Sequence, residues 1–428
     1  MDRIEQLLSR AKQASYAAAV LSSSHKNEAL TRFARLIEES REFLLEENRK
    51  DVEAQRGRIS DSLFQRLELD RGKIDQLVTG LRDMAELADP VGRVLSRTLL
   101  DEGLVLEKLS VPLGVVAVIF ESRPDVIPQI LALILKSGNC ALLKGGSEAK
   151  RSNRAFMQLV EKLNQDCPFL PPDWAQLLDS REDVQRLLAF PQYVDLVVPR
   201  GSNQLVRSIM KATQIPVLGH ADGICHFYLH HSADFDQALK LVVDAKIQYP
   251  AACNALETLL VDAQAADGFL PLLARAAQEQ DMPLRACSRS MKWLDQARPA
   301  QEEDWRTEYG DRTLAVRMVD SPQEAVRHIN TYGSHHTDGI LCRDEEVQEA
   351  FLASVDSAGV FANASLRFAD GFRFGLGAEL GISTSKTHAR GPVGLEGLVI
   401  YKYKLRGQGQ RVADYTGPKA RPFVHRPL

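Results

Sequence analysis

The sequence lacks the features of several common classes of protein. Its longest apolar stretches, Val115–Phe120 and Ile130–Leu135, are far shorter than the roughly 20 residues that span a bilayer. Basic and acidic residues number 53 and 57, a formal net charge of −4, so no positive field invites nucleic acid or an anionic membrane. The first ten residues contain no apolar core of the secretory type. We therefore expect a soluble cytoplasmic protein that binds neither membranes nor nucleic acid.

Motifs for metals and for serine hydrolysis are also missing. The six cysteines include no CxxC pair, so they are expected to be free thiols of a reducing compartment. Neither HExxH nor a GxSxG elbow occurs. The adjacent pairs His230-His231 and His335-His336 are predicted not to share a metal ion, because neighbouring side chains on a strand point to opposite faces. We predict no metal site.

What the sequence does contain is the pattern of a large α/β enzyme. A chain of 428 residues exceeds the ~250–300 residues that one core supports, so two lobes are expected. The buried-strand pattern Gly114–Phe120 precedes an apolar helical stretch and a second strand, Cys140–Leu143. The alternation restarts with Ile224–Leu229 and continues to Val360–Asn363. Continuous apolar strands alternating with helices predict parallel, doubly wound sheets, which bind ligands at the carboxyl ends of their strands.

Two turns rich in glycine and serine lie at such strand ends. They are KGGS (144–147) and PRGSN (199–203), and each opens a predicted helix. Backbone amides at a helix start can hold phosphate, so the pair favours dinucleotide binding. Neither is GxxxxGK[ST], which argues against a nucleotide-hydrolysing P-loop. FGLGAELG (374–381) is interpreted as a loop that permits close backbone approach.

Cys253 is the strongest candidate for a nucleophile. It lies in IQYPAACNALET, where small neighbours leave room for a substrate and turn amides can lower a thiol pKa or stabilise an oxyanion. A buried structural cysteine is the alternative. NASLRF (363–368) follows a strand and is either a capped turn or a grip on a carboxylate, for which arginine is well suited.

Together these segments resemble the gamma-glutamyl phosphate reductase family (glutamate-5-semialdehyde dehydrogenase), a branch of the aldehyde dehydrogenase superfamily. The matching stretches run in order from residue 111 to residue 401. They are VPLGVVAVIFESRPDV (111–126), LLKGGSEA (142–149), PRGSNQLV (199–206), GICHFY (223–228), YPAACNALETLLV (249–261), HTDGIL (336–341) and VFANASLRFADGFRFGLGAELGISTSKTHARGPVGLEGL (360–398).

The resemblance implies NADPH-dependent reduction of L-glutamate 5-phosphate to L-glutamate 5-semialdehyde in L-proline biosynthesis, through a thioester on Cys253. It implies an α/β, aldehyde-dehydrogenase-like fold of two doubly wound lobes plus a small β element for oligomerisation. The expected divisions are a cofactor domain at 1–230 with a hairpin at 97–112, a catalytic domain at 231–365, a return to the cofactor domain at 366–397, and an oligomerisation strand and tail at 398–428.

Site residues follow from the same resemblance. The catalytic positions are Cys253 and, for the oxyanion, Asn254. Cofactor binding is expected at Lys144, Gly145, Gly146, Ser147, Gly201, Ser202 and Glu308. Substrate binding is expected at Ser122, Arg123, Asn363, Ser365 and Arg367, with Arg123 a candidate for the phosphate. Cofactor preference between NADP and NAD stays open.

The alternatives are a hydrolytic semialdehyde dehydrogenase and a non-catalytic dinucleotide-binding relative. Hydrolytic relatives carry a water-activating glutamate, whereas the equivalent stretch here, Leu218–Gly223, contains none; His220 could act there as a weak base. We expect a homodimer, because two-fold homo-oligomers are the commonest assemblies. The tail strand could pair with a partner's hairpin, and transient contact with a glutamate kinase is possible.

Overall fold

The computed structural model describes residues 2–59, 61–121, 123–219 and 222–428, apart from the side chains of Asp61 and Ser62. Two parallel sheets, one in each lobe, face each other across a cleft, and a third, antiparallel sheet lies at the side. This is the predicted architecture, and the α/β class with aldehyde-dehydrogenase-like form is confirmed.

The first lobe combines a helical layer with a four-stranded sheet of order β5-β4-β3-β6. Its helices are α1 (Arg3–Ala18), α2 (Ser23–Glu39), α3 (Arg41–Gln55), α4 (Asp61–Leu67), α5 (Arg71–Glu86), α6 (Val126–Lys136), α7 (Lys150–Asp166), α8 (Arg181–Leu187) and α9 (Asn203–Ala212). Its parallel strands are β3 (Val115–Phe120), β4 (Cys140–Lys144), β5 (Ala175–Leu177) and β6 (Leu196–Arg200).

Burial on both faces explains the composition of this sheet. All six residues of β3, VVAVIF, are buried, and β3 pairs with β4 on one side and β6 on the other. Helix α6 is apolar nearly all round because it packs between the sheet and helices α2 and α5. The carboxyl ends of β3, β4 and β6 therefore meet at one edge, which brings together the loops that follow them.

The second lobe contains a seven-stranded parallel sheet of order β10-β9-β11-β8-β7-β12-β13. Its strands are β7 (Cys225–Leu229), β8 (Leu256–Asp262), β9 (Leu284–Ala286), β10 (Arg298–Pro299), β11 (Leu314–Val319), β12 (Thr337–Leu341) and β13 (Gly359–Ala362). Its helices are α10 (Phe235–Ile247), α11 (Ala266–Glu279), α12 (Pro322–Tyr332) and α13 (Glu345–Ser354).

The placement of β7 corrects the predicted division at residue 230. This strand pairs with β8 and β12, so the second lobe begins before Cys225. The segment after residue 366 does return to the first lobe, where Leu380, Val393 and Leu398 join its core. That segment includes the short hairpin of β14 (Gly381–Ser383) and β15 (Gly391–Val393).

The lateral sheet has the order β16-β2-β1-β17 and is antiparallel. Its strands are β1 (Val94–Asp101), β2 (Leu104–Pro112), β16 (Val399–Arg406) and β17 (Arg426–Pro427). Strand β16 pairs along its whole length with β2 of its own chain, whereas the sequence suggested a partner's hairpin. The side chains of Tyr401, Tyr403 and Leu405 remain exposed on this sheet.

Within the described ranges, no helix combines the length and the apolar character that crossing a membrane would require.

Candidate active site

Cys253 lies in a tight turn between α10 and β8. The turn is closed by backbone bonds from Ala252 N to Tyr249 O (3.1 Å) and from Ala255 N to Ala252 O (2.9 Å). Because β8 starts just after it, the thiol lies at the amino end of the second sheet and faces the loops of the first lobe. The small residues around it leave its side chain partly accessible.

Gly223 packs directly against the backbone of Cys253. A Cβ atom added at Gly223 would lie 2.5 Å from the Cys253 Cα and 2.7 Å from its carbonyl carbon. Cys225 Sγ also donates to the Cys253 carbonyl oxygen at 3.3 Å. The segment that leads into β7 therefore fixes the position of the thiol turn, and only glycine permits this approach.

The cleft between the lobes has a volume of about 1150 Å³ and brings most of the predicted site residues together. Those that line it are Arg123, Lys144, Gly145, Gly146, Ser147, Gly201, Ser202, Cys253 and Glu308. The first-lobe members all follow the carboxyl ends of β3, β4 and β6, as the topology requires. The nucleophile candidate and the two glycine turns thus share one cavity.

The turn after β6 is arranged to bind an anion. Ser202 caps α9 by accepting from Leu205 N (3.4 Å), while its own backbone N–H donates to Glu121 Oε2 at 3.0 Å. The Glu121 carboxylate therefore stands where a phosphate oxygen would bind this amide. A Cβ at Gly201 would lie 2.5 Å from the same oxygen, so a side chain there would fill the space.

Across the cleft, Glu308 contacts α9, the helix that Ser202 caps. Its Oε2 accepts from Asn203 Nδ2 at 2.9 Å, which links the loop before β11 to the start of α9. On the opposite side of the turn, Lys144 donates to Gly145 O at 2.5 Å, and burial lowers the pKa of its ammonium group.

The surroundings of Cys253 hold its thiol protonated. Burial, together with the carboxylates of Glu308 and Glu379, raises the pKa of Cys253 to about 12, and Arg367 acts in the opposite direction. The sequence predicted that the turn lowers this pKa, and the structure has the opposite direction. The main cause is burial of the thiol, and the two carboxylates, neither of which is close to Cys253 in the sequence, add to it.

The remaining predicted residues are engaged elsewhere. Asn254 is buried and donates to Ala369 O at 2.8 Å, so its amide N–H group already has an acceptor. Asn363 donates to Cys342 O (2.7 Å) and accepts from Cys342 N (2.9 Å), which keeps it off the cleft.

Ser365 and Arg367 fasten their turn to the end of α10. Ser365 Oγ donates to Asp244 Oδ2 at 2.5 Å. Arg367 donates to Gln248 Oε1 at 2.9 Å. Its guanidinium also interacts electrostatically with the side chain of Cys253. Of the NASLRF residues, Arg367 is thus the one in electrostatic contact with the nucleophile candidate. Two further residues named in the sequence analysis, Ser122 and His220, lie outside the described residues.

Among the charged residues of the cleft that the sequence analysis missed are Glu121, Arg200 and Glu379. Glu379 accepts from Gly371 N at 2.7 Å, and burial raises the pKa of its carboxyl group. It lies in the stretch that was interpreted only as a loop for close backbone approach. The sequence feature that could have identified these residues was a charged side chain at the end of a strand or within a glycine-rich loop.

The structure also corrects the argument about adjacent histidines. The rings of His230 and His231 lie 4.0 Å apart. Both residues follow the end of β7, where side chains no longer alternate between the two faces of the sheet. Their ligand atoms and that of Asp262 lie within 4.8 Å of one another. Asp262 already accepts from Tyr228 (3.1 Å) and bonds with His231 Nδ1 (3.0 Å), so the three form a hydrogen-bonded cluster.

Comparison with known proteins identifies relatives along the whole chain. Residues 1–285 match the model of the aldehyde dehydrogenase family. The gamma-glutamyl phosphate reductase of Pelotomaculum thermopropionicum is 50% identical over 426 residues, which cover 99% of this chain and 98% of that protein. The namesake protein of Methanosarcina barkeri is 48% identical, with 98% and 96% covered.

Solved structures agree with these relatives. The crystal structure of gamma-glutamyl phosphate reductase from Thermotoga maritima has a TM-score of 0.93 and 35% identity, and covers 96% of this chain and 100% of that one. A lactaldehyde dehydrogenase structure has a TM-score of 0.65 at 16% identity, covering 95% and 91%, and so shares the fold.

Proposed function

This chain belongs to the gamma-glutamyl phosphate reductases of the aldehyde dehydrogenase family, and we propose on that basis that it reduces L-glutamate 5-phosphate to L-glutamate 5-semialdehyde with NADPH, in L-proline biosynthesis. The observation that carries the proposal is the meeting of Cys253 with the two glycine turns in one cleft. A thiol nucleophile beside a dinucleotide-type site is what reduction of an acyl phosphate requires.

Cys253 performs the covalent step. Its Sγ, as thiolate, attacks the acyl carbon, the bond from that carbon to the phosphate oxygen breaks, and phosphate leaves with the electron pair. A bound NADPH supplies the hydride that reduces the acyl carbon of the resulting thioester. Cys253 is then released as a thiolate, together with the free aldehyde. The positive charge of Arg367 stabilises the thiolate, whereas the carboxylates of Glu308 and Glu379 destabilise it.

The residues of the cleft fit a nicotinamide dinucleotide. The amide of Ser202 already binds a carboxylate oxygen, which supports its use for a phosphate. The absence of a side chain at Gly201 keeps that amide open to a ligand. Lys144, at the end of β4, would add positive charge for the ribose or its 2′-phosphate, and Glu308 a carboxylate for the second ribose.

A specific observation favours one alternative, the hydrolytic dehydrogenase. The buried Glu379 carboxylate acts on the Cys253 thiol, as a water-activating base would have to. The two functions differ in the agent that cleaves the thioester, phosphate in one and water in the other. Homodimer assembly, contact with a glutamate kinase and the cytoplasmic location stay predictions.

The reaction run in reverse separates these functions. Semialdehyde is supplied with NADP⁺ or NAD⁺, with and without inorganic phosphate, and formation of reduced cofactor is followed by absorbance. We expect reduction of NADP⁺ only when phosphate is present, and none with Cys253→Ser. Turnover without phosphate would establish the hydrolytic function instead. Equal rates with NAD⁺ would contradict the NADP preference alone.

A further inference from the structure

Arg200 is a partly buried cation beside the turn after β6, and the predicted site assigns it no role. It ends β6, where it pairs with Phe120 of β3, and its side chain lines the cleft. Its Nη1 is buried, and no hydrogen-bond partner for that atom exists among the residues that the structure describes. Leaving a charged donor buried and unpaired is costly, so such a group is expected to have a ligand.

The charges around Arg200 do not satisfy it. Burial lowers the pKa of its guanidinium and the neighbouring Arg123 lowers it further, while Glu379 and Asp125 act in the other direction. Two guanidiniums that interact electrostatically therefore line the same cleft. Like charges in such an arrangement are stabilised by an anion between them, and a guanidinium binds phosphate oxygens in a bidentate way.

Arg200 directly precedes the Gly201-Ser202 turn, but its charged neighbours differ from those of Lys144 at the other cofactor turn. At the other end of the cleft, Lys144 has Arg181 as its cationic neighbour. Arg200 and Arg123 instead share Glu379 with the thiol, because Glu379 acts on both Arg200 and Cys253. The cleft thus contains two groups of cations, and Glu379 links the second group electrostatically to the nucleophile candidate.

We propose that Arg200, together with Arg123, binds the phosphoryl group of the acyl phosphate and the phosphate ion that leaves from it. The inference rests on the proposed function. When the thiolate forms its bond to the acyl carbon, the carbon–oxygen bond to phosphate breaks and the electron pair stays on the phosphate oxygen. The guanidinium of Arg200 stabilises that added negative charge, and in reverse it holds phosphate for attack on the thioester.

The reverse reaction gives a test because its three substrates can be varied separately. Arg200→Met and Arg200→Lys are compared with wild type by titration of phosphate, semialdehyde and NADP⁺ in turn. We expect Arg200→Met to raise the KM for phosphate about tenfold to a hundredfold, as the loss of a charge-assisted hydrogen bond would. Arg200→Lys should restore part of the affinity, and the KM for NADP⁺ should stay within about twofold.

The matched control is Arg275→Met, which removes an arginine whose side chain is 82% exposed on α11. It should leave all three KM values unchanged. A selective rise in the KM for NADP⁺ or semialdehyde in Arg200→Met would overturn the inference and assign Arg200 to the cofactor or to the glutamate carboxylate.

Two further measurements keep the proposal open to refutation if Arg200→Met does not fold. Arg123→Met should raise the KM for phosphate in the same selective way. Calorimetric titration of inorganic phosphate into Cys253→Ser should show binding that is weakened when Arg200→Lys is added, and equal binding in both would overturn the inference. If the wild-type reaction needs no phosphate, the proposed function itself is refuted. If the wild type depends on phosphate but the Arg200 variants keep its KM for phosphate, only the assignment of Arg200 is refuted.

Discussion

Gly223→Ala tests how firmly the approach of two backbones positions the nucleophile. The added Cβ would lie 2.5 Å from the Cys253 Cα, and ordinary carbon–carbon contacts begin at roughly 3.5 Å, so the two segments must separate by about 1 Å. Neither side can yield by a rotamer change, because the contact is with backbone atoms. A 1 Å error in reacting geometry can cost about a hundredfold in rate.

We therefore expect kcat in the reverse assay to fall about a hundredfold in Gly223→Ala, with the KM for NADP⁺ little changed. Iodoacetamide alkylation of Cys253, followed by mass spectrometry, reports on the same displacement without turnover. The matched control is Gly359→Ala in β13, where the added Cβ meets ordinary contacts of 3.4 and 3.5 Å. A wild-type kcat in Gly223→Ala would refute the argument, because the turn could then move without cost.

Three other predictions concern charge and assembly. Glu379→Gln removes a carboxylate that raises the pKa of Cys253, so the thiolate fraction and the alkylation rate at a fixed pH below that pKa should rise. Lys246→Met leaves Glu257, its fully buried partner at 2.7 Å, unpaired and should cost about 3–5 kcal/mol of stability in denaturant titration. The cost should grow between pH 5 and pH 8, mainly above pH 7, because burial raises the pKa of Glu257 to about 7 even with Lys246 present and loss of the Lys246 charge raises it further, so the folded variant resists an ionisation that the wild type permits. Removal of residues 398–428 takes away the strand whose exposed Tyr401, Tyr403 and Leu405 offer an apolar surface to a second copy, and monomers are expected in sedimentation.

The two charge predictions each have a control variant whose expected effect differs in sign or in size. Arg367→Met should slow alkylation of the thiol, since Arg367 lowers its pKa. Lys240→Met, on the exposed face of the same helix as Lys246, should change stability little at either pH. A truncated chain that stays oligomeric would contradict the role of the tail in assembly.

The lobes were predictable from the sequence because their strands are buried on both faces. The run VVAVIF of β3 and the apolar helix α6 have few alternatives to a covered parallel sheet. The lateral sheet was less predictable. Strand β16 alternates in hydrophobicity and has the same sequence in every copy of the chain, so its pattern could not distinguish its own β2 from a partner's. Leu398, directly before β16, is buried in the core of the first lobe. This short connection favours pairing of β16 with β2 of the same chain.

Cys253 and the glycine turns were predictable because their chemistry depends on local sequence. Arg200 and Glu379 were not, since charged side chains are mostly exposed and nothing local indicates that theirs are buried. Their burial depends on three segments that are distant in the chain: the loop after β3, the end of β6 and the stretch before β14. The predicted direction of the thiol pKa was wrong for the same reason, because the pKa is set by burial in the folded chain and by carboxylates from other segments.

The motif NASLRF shows why a match to a family does not by itself assign each residue a ligand. Asn363 has a left-handed backbone with φ of 50° and uses both ends of its amide on Cys342, so it holds the exit of β13. Ser365 caps the turn that follows and bonds to α10. These two contacts fix the turn that carries Arg367, and only that side chain acts on the thiol. Within one motif, therefore, two polar residues build the support and the third reaches the chemistry, a division that spacing alone cannot reveal.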